Sequence, residues 1–207
     1  MNNVLIVTSS AQAGESVSTR LADDFASALL ARHPGAKIVR RDVGTEPIPH
    51  LTPATVAGVR AEPRTEAEQE ARALSDRLIA ELQAADLIVI ASPMYNFGMS
   101  STLKTWFDHV LRARVTFRYT ETGPEGLLKD KKAIVIESRG GLYSEGPAGV
   151  MDTQEPHIRT LLGFMGIDDV EWVRAERLGF PDAAEASIGQ AAARLRSLGG
   201  GELPLAA

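Results

Sequence analysis

The chain alternates between short apolar runs and longer stretches whose apolar residues recur every three or four positions. Val4-Leu5-Ile6-Val7 is the first run, apolar throughout and rich in β-branched residues, as a strand buried on both faces requires. Over residues 17–31 the apolar side chains Leu21, Phe25, Ala28 and Leu29 return at helical spacing. Lys37-Ile38-Val39 predicts a second, weaker strand, residues 65–84 a helix with Leu74, Leu78, Ile79 and Leu82 on one face, and residues 87–91 a third strand. The alternation continues with a helix over 100–112, a strand over 133–136, a helix over 155–164, a strand over 170–175 and a closing helix over 183–198.

Strands that are apolar on both faces, each followed by a helix, predict an α/β fold: a doubly wound parallel sheet with helices on both sides. Five strands fit the flavodoxin-like order 2-1-3-4-5 better than the six-stranded dinucleotide-binding plan. A length of 207 residues with 44% hydrophobic side chains is enough for one domain with a sizeable core, and Gly199-Gly200-Gly201 opens what reads as a frayed tail.

Composition narrows the chemistry. The apolar runs fall far short of the roughly 20 residues that span a bilayer, and Met1-Asn2-Asn3 leads directly into a strand, so a cytoplasmic protein with no membrane partner is expected. A net charge of −5, with Arg and Lys scattered, argues against a nucleic-acid partner. The absence of cysteine excludes disulfides, thiolate nucleophiles and sulfur-based metal centres. His33, His50, His109 and His157 lack the spacing of metal ligands and read as surface or helix-end residues. Redox chemistry in this chain would therefore need an organic reagent.

In a doubly wound sheet, ligands bind beyond the carboxyl ends of the central strands. Three loops fall there. The first, TSSAQAGESVSTR (8–20), has neither the GxGxxG nor the GxxxxGK[ST] pattern but gathers Ser9, Ser10, Ser16, Ser18 and Thr19 about a helix N-terminus, which suits one phosphate. Equally, Ser16 reads as a simple N-cap. The second, ASPMYNFGMS (91–100), places two aromatics on a turn; they either pack on the sheet edge or offer a stacking surface, with backbone N–H groups for the rim of a heterocycle. The third, ESRGGLYSEGP (137–147), is either a mobile turn or a place where Gly140-Gly141 lets the backbone approach a ligand beside Tyr143. Three ligand-suited loops at neighbouring strand ends favour a shared site.

These motifs carry a resemblance. The serine loop with SVS, PMYNFGMSSTLKTWFD, RVTFRYTETGPEGLL and SRGG, in this order over residues 4–173, closely resemble the FMN-dependent NADH azoreductases, flavodoxin-like quinone and azo-compound reductases. The resemblance implies FMN as cofactor, NADH or NADPH as hydride donor, and a ping-pong reaction in which a flat quinone or azo compound takes the electrons. It implies that Ser10, Ser16, Val17 and Ser18 hold the FMN phosphate, that Met94, Tyr95, Asn96 and Phe97 line the isoalloxazine, and that Ser138, Arg139, Gly140 and Gly141 meet its pyrimidine end. It further implies a homodimer. The arm over 115–128 departs from a minimal flavodoxin-like plan, and its Phe117, Arg118 and Tyr119 read as poorly buried in a monomer; Phe117 or Tyr119 would overhang the partner's flavin. Tyr143 stands where some relatives carry His and belongs with the catalytic candidates, and the connection over 43–64 would cover the mouth. Two other readings are a flavodoxin-type electron carrier, which would be shorter and lack the arm, and a non-catalytic regulatory protein, which would lack flavin.

Overall fold

The computed structural model describes residues 3–200. In chain order the elements are β1 (Asn3–Thr8), α1 (Val17–Arg32), β2 (Lys37–Asp42), α2 (Val56–Arg60), α3 (Glu66–Ala84), β3 (Leu87–Pro93) and α4 (Ser101–Val110). Then follow β4 (Phe117–Thr120), β5 (Gly123–Gly126), β6 (Lys132–Ser138), α5 (Gln154–Met165), β7 (Asp169–Ala175) and α6 (Pro181–Gly200). Five strands form one parallel sheet in the order β2-β1-β3-β6-β7, which is the expected 2-1-3-4-5 order once the two short strands of the arm are set aside.

Alternating side chains of the central strands feed two cores. Leu5, Val7, Ile88 and Ile90 face α3, α4 and α5 and pack with Leu78, Leu82, Trp106, Phe107 and Ile158. Val4, Ile6, Leu87 and Val89 point the other way, against Leu21, Phe25 and Leu29 of α1 and Leu195 of α6. No residue of the outer strand β2 is buried, which explains its weak sequence signal. α3 starts in a capping box, the Thr65 hydroxyl accepting from Glu68 N–H while the Glu68 carboxylate accepts from Thr65 N–H.

Three expectations need correction. Gly199 and Gly200 are helical, and Gly199 packs against α1; the rest of the expected tail, from Gly201, lies outside the described residues. His109 stands at a helix end but is buried, its Nε2 3.1 Å from the Pro49 carbonyl oxygen. The arm also has its own support: β4 and β5 form an antiparallel ribbon, and β5 lies so close to the end of α5 that a Cβ on Gly126 would sit 2.1 Å from Gly166 N. Only glycine allows that approach. Phe117 is consequently 6% exposed, with its ring 4.6 Å from that of Phe164, rather than projecting toward a second subunit.

Candidate functional site

Register brings the three loops together. Thr8 pairs with Ala91, and Pro93 with Ser138, so β1, β3 and β6 release their chains at one edge. Ser9 Oγ donates to the Ala91 carbonyl (2.9 Å), Thr102 Oγ1 to the Ser9 carbonyl (3.3 Å), and Met94 N–H to the Ser138 carbonyl (2.9 Å). Tyr95 adds a side-chain link: its hydroxyl lies 3.3 Å from Ser10 Oγ and accepts from Ala11 N–H at 3.1 Å. Tyr95 therefore ties the second loop to the first.

At the start of α1, Ser16 occupies the N-cap position yet makes no side-chain capping bond. Its hydroxyl instead lies 3.1 Å from that of Ser18, both residues being buried, so neither hydroxyl is used on the helix backbone. The N–H groups of Val17, Ser18 and Thr19 open the helix and have no intrahelical acceptor. Two buried hydroxyls and three free N–H groups at the positive end of a helix form an anion cradle. Val17 adds only its backbone N–H, because its side chain packs toward the core.

The second loop is a two-residue hairpin turn. Tyr95 and Gly98 exchange backbone hydrogen bonds of 2.9 and 3.0 Å, and the residues between them, Asn96 (φ 47°) and Phe97 (φ 72°), both have left-handed backbones. This is the type I′ signature, for which Asn-Gly is the favoured pair. A phenylalanine at the second position costs about 1 to 2 kcal/mol of backbone strain. The turn is held there: Thr153 N–H and Thr153 Oγ1 both donate to the Phe97 carbonyl, at 3.0 and 2.8 Å. The Phe97 ring is 44% exposed and meets Tyr143 edge-on at 6.2 Å. Strain of this kind concentrates where a side chain serves a ligand.

In the third loop, the carbonyls of Arg139, Gly140 and Gly141 accept from Leu178, Gly179 and Arg177, in the segment after β7. The N–H groups of Gly140 and Gly141, like those of Asn96 and Phe97, donate to no acceptor among the described residues. A Cβ on Gly140 would meet nothing within 4 Å, whereas one on Gly141 would lie 3.0 Å from the Tyr143 ring. Neither glycine has a positive φ, so contact with Tyr143, not backbone conformation, restricts position 141.

Arg139 differs from expectation. Its side chain is fully buried and turns away from the loop into a cage of acids. Its Nη2 lies 2.6 Å from Glu137 and 3.0 Å from Asp152, its Nη1 lies 3.3 Å from Glu176, and its Nε donates to Gln154 Oε1 at 3.1 Å. The Glu137 contact is an ion pair without hydrogen-bond alignment, since both Glu137 oxygens lack a hydrogen-bond partner. A guanidinium so committed cannot reach a ligand, and only the backbone of Arg139 borders the loop. Burial pushes the Glu137 carboxyl up to about 7, against the pull of Arg139. Burial acts on Glu176 in the same direction, but hydrogen bonds from Ser144 and Tyr143 hold it below the usual carboxylate range. Gln154 completes the support by donating to the Ser92 carbonyl at 2.8 Å. Sequence patterns did not single out Thr153, Gln154 or Glu176; a Thr at the N-cap followed by Gln at the first helical position offers at most a weak capping signal.

The arm places its two aromatics differently. Tyr119 is 73% exposed on β4, against the buried Phe117. The connection over 43–64 is anchored rather than loose: Val43, Ile48 and Val59 are buried, and Arg60 Nη1 donates to the Leu111 carbonyl at 2.7 Å.

A parallel 2-1-3-4-5 sheet with an anion cradle after its first strand and free N–H groups beyond the next two defines a flavodoxin-like protein. The family model described as "Flavodoxin-like fold" matches residues 2–198, and the chain belongs to that family. It is 57% identical over 189 residues, 91% of each chain, to a protein of Hyphomonas neptunium named FMN-dependent NADH:quinone oxidoreductase. An Escherichia coli protein of the same name is 49% identical over 201 residues, covering 96% of this chain and 98% of that one. Among solved structures, an azoreductase from Bacillus anthracis superposes with a TM-score of 0.89 at 31% identity, over 97% of this chain and 99% of the other.

Proposed function

We infer that this chain is an FMN-dependent NADH:quinone oxidoreductase, an enzyme that also reduces azo compounds in the manner of its azoreductase relatives. The observation that carries this reading is the strained, half-exposed Phe97 on a turn that Tyr95 ties to the serine loop, at whose far end an anion cradle holds serine hydroxyls that the helix does not use. The residues present fit the cofactor. Ser10, Ser16 and Ser18, with the opening N–H groups of α1 from Val17 onward, hold its phosphate. Met94, Tyr95, Asn96 and Phe97 line one side of the ring system, and Ser138 with the backbone of Arg139, Gly140 and Gly141 meets its pyrimidine edge.

Bound FMN supplies the redox chemistry, accepting a hydride from NADH and passing two electrons on to the acceptor. The chain's own work is placement. The free N–H groups of Gly140 and Gly141 stabilise negative charge that develops at the pyrimidine edge, and the Tyr95 link keeps the phosphate and ring loops in register. Phe97 and Tyr143 present apolar edges that exclude water and guide a flat reactant. An open side next to Phe97 and Tyr143 would take the donor and then the acceptor in turn, the ping-pong order.

The protein is read as a single domain acting as a cytoplasmic homodimer. Among the described residues no helix is long and apolar enough to cross a membrane. The dimer is supported by the arm, which holds Tyr119 outward on a rigid ribbon braced by Phe117, a geometry suited to reaching a partner's site. Purified protein should carry a flavin spectrum and bleach rapidly on anaerobic mixing with NADH, then recover on addition of quinone. A folded, flavin-loaded protein that bleaches only slowly would point to an electron carrier instead, and one that binds no FMN would overturn the reading altogether.

A further inference from the structure

Behind the glycine loop, the charged side chains around Arg139 form one network in which anions outnumber cations. Arg139 meets Glu137 (2.6 Å), Asp152 (3.0 Å) and Glu176 (3.3 Å) and, at 3.8 Å, Glu155. Arg174 reaches from β7 to Glu137 (3.7 Å) and Glu155 (2.6 Å), and Arg159 on α5 pairs with Glu155 at 2.7 Å. Three guanidiniums therefore serve four carboxylates.

The four acids are not equivalent. Asp152 accepts from the N–H groups of Gln154 and Glu155, Glu155 from Arg159 and Arg174, and Glu176 from Tyr143, Ser144 and Arg139. Such bonds favour the ionised form. Glu137 has none: it is fully buried, and neither of its oxygens has a hydrogen-bond partner among the described residues. Its register partners are the neutral Ser92 on β3 and Arg174 on β7. The proton that the network's charge imbalance calls for thus belongs on Glu137, and burial pushes that carboxyl up to about 7.

Glu137 stands three residues before Gly140, at most about 10 Å along the chain. Gly140 and Gly141 offer free N–H groups at the place where the flavin reading puts developing negative charge. A charge on Glu137 repels a charge there. At ~10 Å and an effective dielectric constant of ~20, the repulsion changes a proton affinity about tenfold.

We propose that Glu137 takes up a proton from solvent as the flavin is reduced and releases it on reoxidation, so that this buried acid ties the flavin's potential to pH. The hydride carries two electrons and one proton onto the flavin, leaving one negative charge; the second proton, from solvent, converts the Glu137 carboxylate to the acid and offsets that charge. When the hydride passes to the acceptor, Glu137 returns its proton to solvent. The role rests on the flavin reading above, whereas the imbalance of the network does not.

Redox titration of flavin-loaded protein from about pH 5 to about pH 9, with proton uptake followed by a soluble indicator, tests this. Glu137→Gln fixes the neutral state, so it should match the wild type at about pH 5 and favour reduced flavin about tenfold more than the wild type at about pH 9. Between about pH 7 and 8 the wild type should take up roughly half a proton more per flavin than the variant, which is what a tenfold coupling gives. A carboxylic-acid carbonyl band should also grow in its reduced-minus-oxidised infrared spectrum and be missing from that of Glu137→Gln. Arg174→Gln removes the more exposed of the two cations facing Glu137, should move these features to higher pH, and supplies the comparison if Glu137→Gln does not fold. Curves that coincide for wild type and Glu137→Gln, or features that Arg174→Gln leaves in place, overturn the proposal and leave the flavin reading standing. A protein that binds no FMN strikes both.

Discussion

Phe97 offers the sharpest test of the flavin berth, because one position sets backbone strain against side-chain function. Replacing it by alanine removes the ring and keeps a Cβ at φ 72°; replacing it by glycine removes the ring and the strain together. Both variants lose the same edge contact with Tyr143, so the contact cancels in the comparison. What remains is relief of about 1 to 2 kcal/mol of left-handed strain, less the roughly 0.5 to 1 kcal/mol that glycine's extra freedom costs on folding. Phe97→Gly should therefore be more stable than Phe97→Ala by about 0.75 kcal/mol, the middle of that difference, or ~1.5 to 3 °C in Tm for a chain of this size. Both variants should lose flavin affinity and turnover to similar degrees, since neither carries the ring. Calorimetry gives the first difference, and flavin retention with NADH-dependent quinone reduction gives the second. An alanine variant as stable as the glycine variant would refute the strained turn, and a glycine variant with wild-type flavin affinity and turnover would remove Phe97 from the site.

Ser16→Ala combined with Ser18→Ala should weaken FMN by about 2 to 4 kcal/mol, at ~1 to 2 for each hydrogen bond to a charged group, and unchanged flavin on dialysis would contradict the cradle. Phe117→Ala should destabilise the fold by about 3 to 5 kcal/mol, whereas Tyr119→Ala should change stability by no more than about 0.5 and instead raise the quinone KM; equal effects in denaturant melts would refute this division. Glu137 has a folded-state pKa of about 7, above its unfolded value, so its stabilising contribution is complete below the unfolded pKa and is lost as pH rises through 7. Glu137→Gln should accordingly gain stability relative to wild type between pH 5 and 8, and a Tm difference that stays flat over that range would show that Glu137 does not retain a proton.

Much of the fold was legible because its determinants are local and repetitive. Runs such as Val4-Leu5-Ile6-Val7 and Leu87-Ile88-Val89-Ile90 have only one comfortable environment, a strand covered on both faces, and β1 and β3 are buried there. The short helix α2 was missed, since five residues are too few to show a period and Val56 and Val59 sit among prolines and polar residues. The arm was half legible. Its aromatics announced a departure from the minimal plan, but nothing in the local pattern says that Gly126 approaches Gly166 closely enough to carry Phe117 onto Phe164. That is a contact between distant segments, and no nearby spacing encodes it.

Arg139 shows where carrying a role over from a shared motif reaches its limit. The resemblance sets it with the two glycines at the flavin's pyrimidine end, and its backbone does border that loop. The side chain obeys a different constraint. A buried guanidinium just beyond β6 is stable only if carboxylates meet it, and here Glu137 and Glu176 come from two strand ends and Asp152 from the approach to α5. Those acids are scattered along the sequence and look like ordinary surface charge until the fold assembles them. Glu176 then accepts from Tyr143 N–H and Ser144 N–H as well as from Arg139, so the cage fixes the glycine loop from behind. Arg139 is thus a positioning residue: it holds the backbone donors that the flavin would meet, without touching the flavin itself.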